Sequence, residues 1–432
     1  MLNRAAAWAS RRIERPLSWL ELRERSVLGV CIALLLIAGL VYSLRLGDAL
    51  RYYDEREYFK IASYLADRGE YTLNGDGPTT FRPPGYPALI AALLLSGAGV
   101  VLIRFANFVL LAGSLLLTHH LVKRAAGVRA GLIAVGLALG YPVFFYTAGT
   151  LYPQTVAAFL LVLSLALLFR GAGAADPAPA PRGEGRAWLW NAALAGIALG
   201  ALTLVVPTFL FLLPLLFLLL WPDLRSAGVA AAALVVVVGA WSVRNYLAFD
   251  AFVLVSSNSG LNFLLGNSEQ ATGGSGVNVD ISHHLRDAAA AGLNEVERDA
   301  YLRAQGVRYV LENKLDALGL YVSKVIHYFA FRNQLATKGE GAGWQDLVML
   351  ATYGPLLLLF VVRLVSWRRL PLLPLEKRLA VIYVASAFAH AVFFSRIRFR
   401  LPLDLLLIAV DAIFLSRLLE RRAPGLERPA PA

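Results

Sequence analysis

Cysteine and charge are both scarce in this sequence. Cys31 is the only cysteine among 432 residues, so no disulfide can form within the chain. Charged residues make up 16% of the chain, whereas soluble globular proteins carry about 25%. Because 58% of the residues are hydrophobic, the composition excludes an ordinary soluble domain and predicts a multi-span membrane protein.

Several functional signatures are also missing. The sequence contains no Walker loop, no dinucleotide-binding fingerprint and no serine nucleophile elbow, which argues against a nucleotide-driven reaction. The formal net charge is +12, but no basic module interleaved with aromatic residues indicates RNA binding, so nucleic acid is not an expected partner. Most of the excess positive charge falls in short loops between apolar runs, where it marks topology and contacts membrane lipids.

The apolar runs have the length of membrane helices and lack the strict alternation of a β-barrel. They predict an all-α polytopic membrane protein, a bundle of about ten transmembrane helices with amphipathic helices on its outer face. Segment 85–97 is expected to be a half-helix or a re-entrant piece. The expected spans are residues 26–46, 99–121, 128–146, 152–170, 188–206, 207–221, 227–243, 345–366, 377–395 and 402–419.

Arginine and lysine positions predict the orientation, because cytoplasmic loops carry the excess of positive charge. Basic residues cluster before the first helix, after the last helix and in alternate loops, whereas the hairpins at 147–151 and 203–208 contain none. We therefore expect a multi-pass protein of the cytoplasmic (inner) membrane with both termini in the cytoplasm. Three polar regions then lie on the outer face: the stretch after the first helix, the segment from about 244 to 343, and the turn at 395–402.

This pattern also divides the chain into parts. The residues at 171–185 predict a cytoplasmic low-complexity linker without chemistry. The other parts are a basic cytoplasmic N-terminus (1–25), a membrane core (26–243) that includes an outer loop (47–98), an outer segment of loop and amphipathic helices (244–344), the C-terminal transmembrane helices (345–420) and a cytoplasmic tail (421–432).

The outer loop contains a pair of carboxylates. Asp54 and Glu55 open an amphipathic helix, and the RPPGYP run that begins at Arg82 predicts a rigid, extended backbone before the next apolar segment. Adjacent side chains on a helix point about 100° apart, so one base with one supporting acid is the natural arrangement. Asp54 with Glu57 matches a capping box equally well, and the two roles are compatible because a cap residue stays exposed.

Three arginines stand out in the turn before the last helix, since a short outer turn should be poor in positive charge. In the extended backbone that Pro402 favours, Arg396, Arg398 and Arg400 would share one face and could form a fork for a phosphate. Contact with anionic lipid headgroups explains them as well. Arg82 and Arg244 are also on the outer side, and each alone is more typical of a local hydrogen-bonding residue than of a ligand-binding one.

Other polar residues give weaker signals. Asp411 and His390 fall in predicted spans and should face the bundle interior, where packing explains them as well as catalysis does. The His283-His284 pair lacks the accompanying ligands of a metal site, so no metal-binding residues are predicted. Asp54 and Glu55 could nevertheless recruit a divalent cation, which is the only cofactor that the sequence leaves open.

Taken in order, the motifs resemble those of the GT-C superfamily of membrane glycosyltransferases, in particular the bacterial branch similar to protein O-mannosyltransferases and the lipid A aminoarabinose transferase. The resemblance covers residues from about 25 to 420. The matching motifs are Asp54-Glu55 with Tyr58, Arg82-Pro-Pro-Gly-Tyr-Pro87, Tyr152-Pro153, Arg244-Asn245-Tyr246, Gly260-Leu-Asn262, Gly266-Asn267 and Arg398-Phe-Arg400-Leu-Pro402.

The resemblance implies a hexosyl- or pentosyltransferase that uses a polyprenyl-phosphate-linked sugar donor on the outer face of the membrane. The acceptor would be a lipid, a glycan or a protein, and the anomeric carbon would be inverted. In family terms Asp54 is the general base and Glu55 supports it. The implied donor-phosphate contacts are Arg82, Arg244, Arg398 and Arg400, and the implied substrate contacts are Tyr58, Tyr86, Asn262 and Asn267.

Two other classes of protein fit parts of the pattern. A transporter or flippase of an anionic lipid-linked substrate would use the same outer arginines, and it would place ionisable residues near mid-membrane on several helices. A non-catalytic assembly partner would be indifferent to Asp54, whereas an enzyme would not.

Overall fold

The structure is a computed structural model, and it describes residues 21–169, 187–220, 223–274, 276, 278–332 and 343–422. The predicted linker at 171–185 and most of the two predicted cytoplasmic termini, residues 1–20 and 423–432, lie outside the described residues.

The described part of the chain is built from α-helices and contains no strand. Short 3₁₀ turns lie at Pro207–Leu212 and Ser366–Arg368. The helices are α1 (Glu24–Leu46), α2 (Tyr53–Arg68), α3 (Gly85–Leu95), α4 (Val100–Leu139), α5 (Pro142–Ala148), α6 (Gln154–Leu168), α7 (Ala187–Val205), α8 (Leu213–Leu219), α9 (Leu224–Phe249), α10 (Ser259–Gly266), α11 (Ser282–Ala290), α12 (Glu295–Glu312), α13 (Lys314–Tyr328), α14 (Gly343–Val365), α15 (Pro374–Ala391) and α16 (Ile397–Arg422).

Among the described residues, five helices are long and apolar enough to cross a membrane: α1, α4, α7, α9 and α14 with the turn after it. The remaining predicted spans correspond to the second half of α4, to shorter helices such as α6 and α8, or to helices that carry charge, such as α15 and α16. Two predicted spans meet within α4, which is kinked at Ala126 and at Gly127, where φ is +88°. The prediction of an all-α polytopic membrane protein is confirmed.

Helix α16 lies at the centre of the bundle, and every residue from 401 to 414 is buried. It packs against α4, α6, α14 and α15. Its buried charge is compensated locally, because Asp404 lies 3.0 Å from Arg400 and accepts a hydrogen bond of 3.0 Å from the Tyr141 hydroxyl. A second buried ion pair, Arg363 with Glu376 at 2.7 Å, joins α14 to α15. Such pairing is what makes charged residues tolerable inside a membrane bundle.

Helices α10 and α12 pack closely and form one wall of the site described below. The Asp299 carboxylate on α12 accepts hydrogen bonds from the backbone N–H groups of Gly260 (2.6 Å) and Leu261 (3.3 Å) at the start of α10. A Cβ atom at Gly260 would lie 1.9 Å from the Asp299 carbonyl oxygen. Only glycine therefore fits at this contact, which accounts for the glycine of the Gly260-Leu-Asn262 motif.

The RPPGYP run leads directly into α3, which begins at Gly85. A Cβ atom there would lie 2.9 Å from the backbone nitrogen of Val205, so the absence of a side chain lets α3 approach the end of α7. The ring of Tyr86 then packs edge-on against Tyr58 of α2, with 5.5 Å between centroids. These contacts fix Arg82 relative to the first turn of α2.

Candidate functional site

A cavity of about 800 Å³ gathers residues that are far apart in the sequence. Its walls come from the first turns of α2, the start of α6, the 3₁₀ turn after α7, the loop before α10, helices α10 and α12, and the α15–α16 turn. Most of the lining is apolar. The charged residues used below are Asp54, Arg82, Arg396 and Arg398, all of which line it.

The Asp54 carboxylate is shared by two guanidinium groups. Nη2 of Arg82 lies 2.7 Å from Oδ1, and Nη1 of Arg398, 344 residues further along the chain, lies 2.6 Å from Oδ2. The Asp54 side chain is 16% exposed, so these charge-assisted contacts form in a largely water-excluded place. The structure thus brings three of the predicted site residues together at one wall of the cavity.

A second carboxylate holds Arg82 from its other side. Oε2 of Glu57 accepts a 2.7 Å hydrogen bond from Nε of Arg82 and a second one from Nη2. Asp54 and Glu57 reach the same guanidinium because residues three apart lie on one face of a helix. This role for Glu57 was missed in the sequence, although its spacing from Asp54 contained the signal.

Aromatic rings support the arginines. The guanidinium carbon of Arg82 lies 5.1 Å from the ring centroid of Tyr58, and that of Arg398 lies 5.2 Å from Tyr152 and 5.3 Å from Phe399. Such stacking holds a guanidinium plane in place while its N–H groups remain able to bind an anion. Nε of Arg398 is buried and has no hydrogen-bond partner in the described chain.

The electrostatics of the cluster favour an added anion. Burial alone would raise the pKa of Asp54, but the charges of Arg398 and Arg82 outweigh it and hold this pKa well below its usual range. Burial and repulsion from Arg398 lower the pKa of Arg396 to about 9. Arg82, Arg396 and Arg398 all line the cavity, and this concentration of positive charge makes the site attractive to a phosphate.

Glu55 has a different position from its neighbour. It is fully buried, and its carboxylate accepts hydrogen bonds from the backbone N–H groups of Arg51 (2.7 Å), Tyr52 (3.1 Å) and Leu151 (2.9 Å). Helix α2 begins at Tyr53, so the acid that reaches back to the N-cap residue is Glu55 and not Glu57. The expected Asp54–Glu57 capping box was wrong by two positions, at the N-cap residue and at the acid alike.

The predicted extended arginine fork before the last helix was also wrong. Residues from Ile397 onward are helical, so Arg398 and Arg400 point in opposite directions, since residues two apart on a helix are separated by about 200°. Arg400 is fully buried, stacks on Tyr353 with 3.6 Å to the ring centroid, and pairs with Asp404. It lies in the core and does not line the cavity.

Arg244 is likewise engaged away from the cavity. Its guanidinium donates to the carbonyl oxygens of Thr79 (2.9 Å) and Tyr71 (3.1 Å) and stacks on the Trp241 ring at 4.8 Å. These contacts tie α9 to the loop that precedes Arg82. The structure therefore places Arg244 as a support of the outer loop.

The four predicted substrate contacts divide into two pairs. Tyr58 and Asn262 line the cavity. Tyr86 is buried beneath Tyr58, where its hydroxyl accepts a 3.2 Å hydrogen bond from Asn107. Asn267 is buried at the end of α10 and accepts a 2.9 Å hydrogen bond from Nζ of Lys324, so it does not face the cavity.

A divalent cation does not fit at Asp54, because each of its carboxylate oxygens already contacts a guanidinium group and Glu55 is occupied by backbone N–H groups. Within the described ranges, no three His, Cys, Asp or Glu residues are grouped as metal ligands would be. The rings of His283 and His284 lie 3.9 Å apart on α11, without a third ligand among those residues.

Scans of the sequence against protein-family models and against curated proteins returned no match. Two solved structures of ArnT from Cupriavidus metallidurans, one apo and one bound to undecaprenyl phosphate, resemble the chain with a TM-score of 0.42. They cover 88% and 89% of this chain and 77% and 78% of ArnT, at 16% and 15% identity. The archaeal oligosaccharyltransferase AglB from Archaeoglobus fulgidus, in complex with an inhibitory peptide and a dolichol-phosphate, has a TM-score of 0.52 at 15% identity.

The match to AglB covers 92% of this chain and 52% of AglB, so the chain spans about half the length of that protein. At this identity the likeness concerns the fold. The chain is an all-α polytopic membrane protein with a GT-C-like fold, and the resemblance that its motifs indicated is confirmed at that level.

Proposed function

We propose that the chain is a membrane glycosyltransferase that moves a sugar from a polyprenyl-phosphate-linked donor to a lipid, glycan or protein acceptor. The observation that carries the proposal is the Asp54 carboxylate, shared between Arg82 and Arg398 at the wall of a large cavity. Glycosyl transfer from a phosphate needs a base for the acceptor hydroxyl and cations for the leaving group, and this cluster contains both.

The donor phosphate binds between Arg82 and Arg398, with Arg396 beside them, and replaces Asp54 as their anionic partner. The unpartnered Nε of Arg398 is one donor for a phosphate oxygen. The apolar remainder of the cavity, including Phe211, suits the prenyl chain. The dolichol-phosphate in the AglB structure, whose fold is similar, supports a lipid phosphate as the ligand class.

Once displaced, Asp54 is free to act as the general base. It takes the proton of the acceptor hydroxyl, and the oxygen attacks the anomeric carbon from the face opposite the phosphate. The bond between that carbon and the phosphate oxygen breaks, and the electron pair leaves with polyprenyl phosphate, whose charge the arginines stabilise. The configuration at the anomeric carbon is inverted, and no second acid is required because phosphate is a good leaving group.

The predicted topology places this chemistry on the outer face of the cytoplasmic membrane. Asp54, Arg82 and Arg398 come from two of the three regions that the positive-inside pattern assigns to that face, and both termini are then cytoplasmic. Labelling of single cysteines at exposed Asp67 and Arg308 by an impermeant thiol reagent, in a Cys31→Ser background, tests the assignment.

The function is tested with purified protein in liposomes that contain a panel of polyprenyl-phosphate sugars and candidate acceptors. Release of polyprenyl phosphate is followed for the wild type, for Asp54→Asn and for Asp67→Asn, which makes the same change at an exposed carboxylate of the same helix. We expect turnover of at least one donor by the wild type and by Asp67→Asn, and turnover about 10²- to 10⁴-fold slower by a folded Asp54→Asn.

Equal turnover by all three proteins would show that Asp54 is structural and that the base lies elsewhere. Binding of lipid phosphate without turnover of any donor, combined with movement of the lipid between leaflets, would favour the transporter or flippase alternative.

A further inference from the structure

Two buried acceptor atoms at the wall of the 800 Å³ cavity are not used by the proposed mechanism. They are Nε2 of His390, near the end of α15, and Oε1 of Gln154, at the first position of α6. The two side chains are 1% and 5% exposed, and neither atom has a hydrogen-bond partner within the described chain. Buried polar atoms are nearly always paired, and the side chains that carry these two line the cavity, which makes a ligand in the cavity a natural partner for them.

The tautomer of His390 is fixed by its other nitrogen. Nδ1 lies 2.8 Å from the carbonyl oxygen of Ser386, and a carbonyl oxygen can only accept, so Nδ1 carries the hydrogen. The neutral ring therefore presents Nε2 as an acceptor. Tyr328 packs on the ring at 5.7 Å between centroids, and Phe399 stacks on it at 6.2 Å, which holds this orientation.

His390 is connected to the arginine cluster through Phe399. Phe399, which stacks on its ring, is the same residue that lies 5.3 Å from the guanidinium carbon of Arg398. Gln154 follows Tyr152 and Pro153, and Tyr152 stacks on the same guanidinium. A group that is linked directly to a phosphate bound at Arg398 would thus lie near both acceptors. In a lipid-linked donor that group is the sugar.

We propose that His390 and Gln154 form a subsite that accepts hydrogen bonds from hydroxyl groups of the donor sugar. This inference rests on the proposed function and adds the recognition of the sugar to it. A prenyl chain has no hydrogen to donate, and a phosphate oxygen is itself an acceptor, so neither satisfies these two atoms. Sugar hydroxyls do, and a site built around such bonds rejects ligands that lack the hydroxyl.

The test compares the binding of bare polyprenyl phosphate with that of its mannosyl, glucosyl and galactosyl phosphodiesters. The full-length protein is used in nanodiscs, as wild type, His390→Asn and Gln154→Met. His390→Asn keeps an N–H donor towards Ser386 and removes the Nε2 acceptor, and His390→Gln restores an acceptor near the Nε2 position. His283→Asn is the matched control, because it makes the same histidine-to-asparagine substitution at an exposed residue outside the cavity.

We expect the wild type and His283→Asn to bind at least one sugar-bearing lipid about 10-fold or more tightly than bare polyprenyl phosphate. His390→Asn and Gln154→Met should each lose most of this preference, His390→Gln should recover part of it, and affinity for the bare lipid should stay within about twofold throughout.

Unchanged affinity for the bare lipid shows that each variant is folded and that the arginine site is intact. A preference that survives both substitutions, or a wild type that binds all four lipids equally, overturns the subsite while leaving the phosphate site in place. Failure of the wild type to bind bare polyprenyl phosphate would contradict the proposed function itself, so the two failures are distinguishable.

Discussion

Replacing Arg398 with glutamine should weaken the binding of polyprenyl phosphate while leaving the fold intact. In the free protein Nη1 of Arg398 contacts Asp54 at 2.6 Å, and its Nε is buried without a partner in the described structure. The substitution removes one of the two guanidinium groups that clamp Asp54. Arg82 keeps its place because Glu57 holds it independently.

The magnitude follows from the loss of one charge-assisted hydrogen bond that Arg398 would donate to the phosphate. A charge-assisted hydrogen bond contributes about 1.5–3 kcal/mol, and each 1.4 kcal/mol corresponds to about tenfold in affinity. Removing the guanidinium would then weaken binding by roughly 10- to 150-fold. We expect the lower end, about 10-fold, because the phosphate no longer has to displace Asp54 from that arginine.

Asp54→Asn should change lipid affinity in the opposite direction. The substitution removes the carboxylate that competes with the phosphate for Arg82 and Arg398, so bare polyprenyl phosphate should bind at least as tightly as it does to the wild type. Turnover should nevertheless fall by about 10²- to 10⁴-fold, the usual contribution of a general base.

Equilibrium binding of polyprenyl phosphate to protein in nanodiscs measures the affinity, and release of polyprenyl phosphate measures turnover. Arg308→Gln, at an exposed arginine of α12 that does not line the cavity, is the matched control. The reasoning is refuted if Arg398→Gln binds the lipid as well as the wild type does, or if Asp54→Asn weakens binding to the same extent.

Three further predictions concern stability and pH. Glu376→Ala leaves the fully buried Arg363 without its carboxylate and should lower the free energy of unfolding by about 3–5 kcal/mol, measured by denaturant titration in detergent. Gly260→Ala should lower the melting temperature, because its Cβ would meet the Asp299 carbonyl oxygen, whereas Gly228→Ala, in an open helical position, should not. Because the arginines depress the pKa of Asp54, its charge persists as the pH falls, and kcat/KM should show no acid limb from this group above about pH 4.

The fold was predictable from the sequence because the length of apolar runs is a direct physical requirement of the bilayer. Helices occur at all of the predicted span positions, and the resemblance in motifs corresponds to a similarity of fold. Asp54, Arg82 and Arg398 could also be proposed to meet, since all three lie in polar regions assigned to one face of the membrane. Neither inference required knowledge of side-chain geometry.

What the sequence could not decide was the register of short segments. Pro402 favoured an extended turn, but α16 begins before it at Ile397 and continues through it, so Pro402 lies inside the helix, where it cannot donate a hydrogen bond to the carbonyl oxygen of Arg398. Successive side chains on a helix point about 100° apart. In the helical backbone of α16, Arg398 therefore faces the cavity and Arg400, two residues later, faces the core. The position of a helix start also decided the roles of the acids in α2. Because α2 begins at Tyr53, Glu55 caps the helix, whereas Asp54 and Glu57 contact Arg82.

The resting ion pairs of Asp54 have a consequence for the order of events in catalysis. A carboxylate with so low a pKa is a weak base, and a weak base removes a hydroxyl proton poorly. Only an anion that takes Arg82 and Arg398 away from Asp54 raises its basicity, and the donor phosphate is such an anion. In the proposed mechanism the base is therefore activated by the binding of the donor, which makes donor binding a requirement for deprotonation of the acceptor. After transfer, the arginines would hold the phosphate of the product, and Asp54 would regain them when polyprenyl phosphate leaves, so the free site would return to a state in which Asp54 is a weak base.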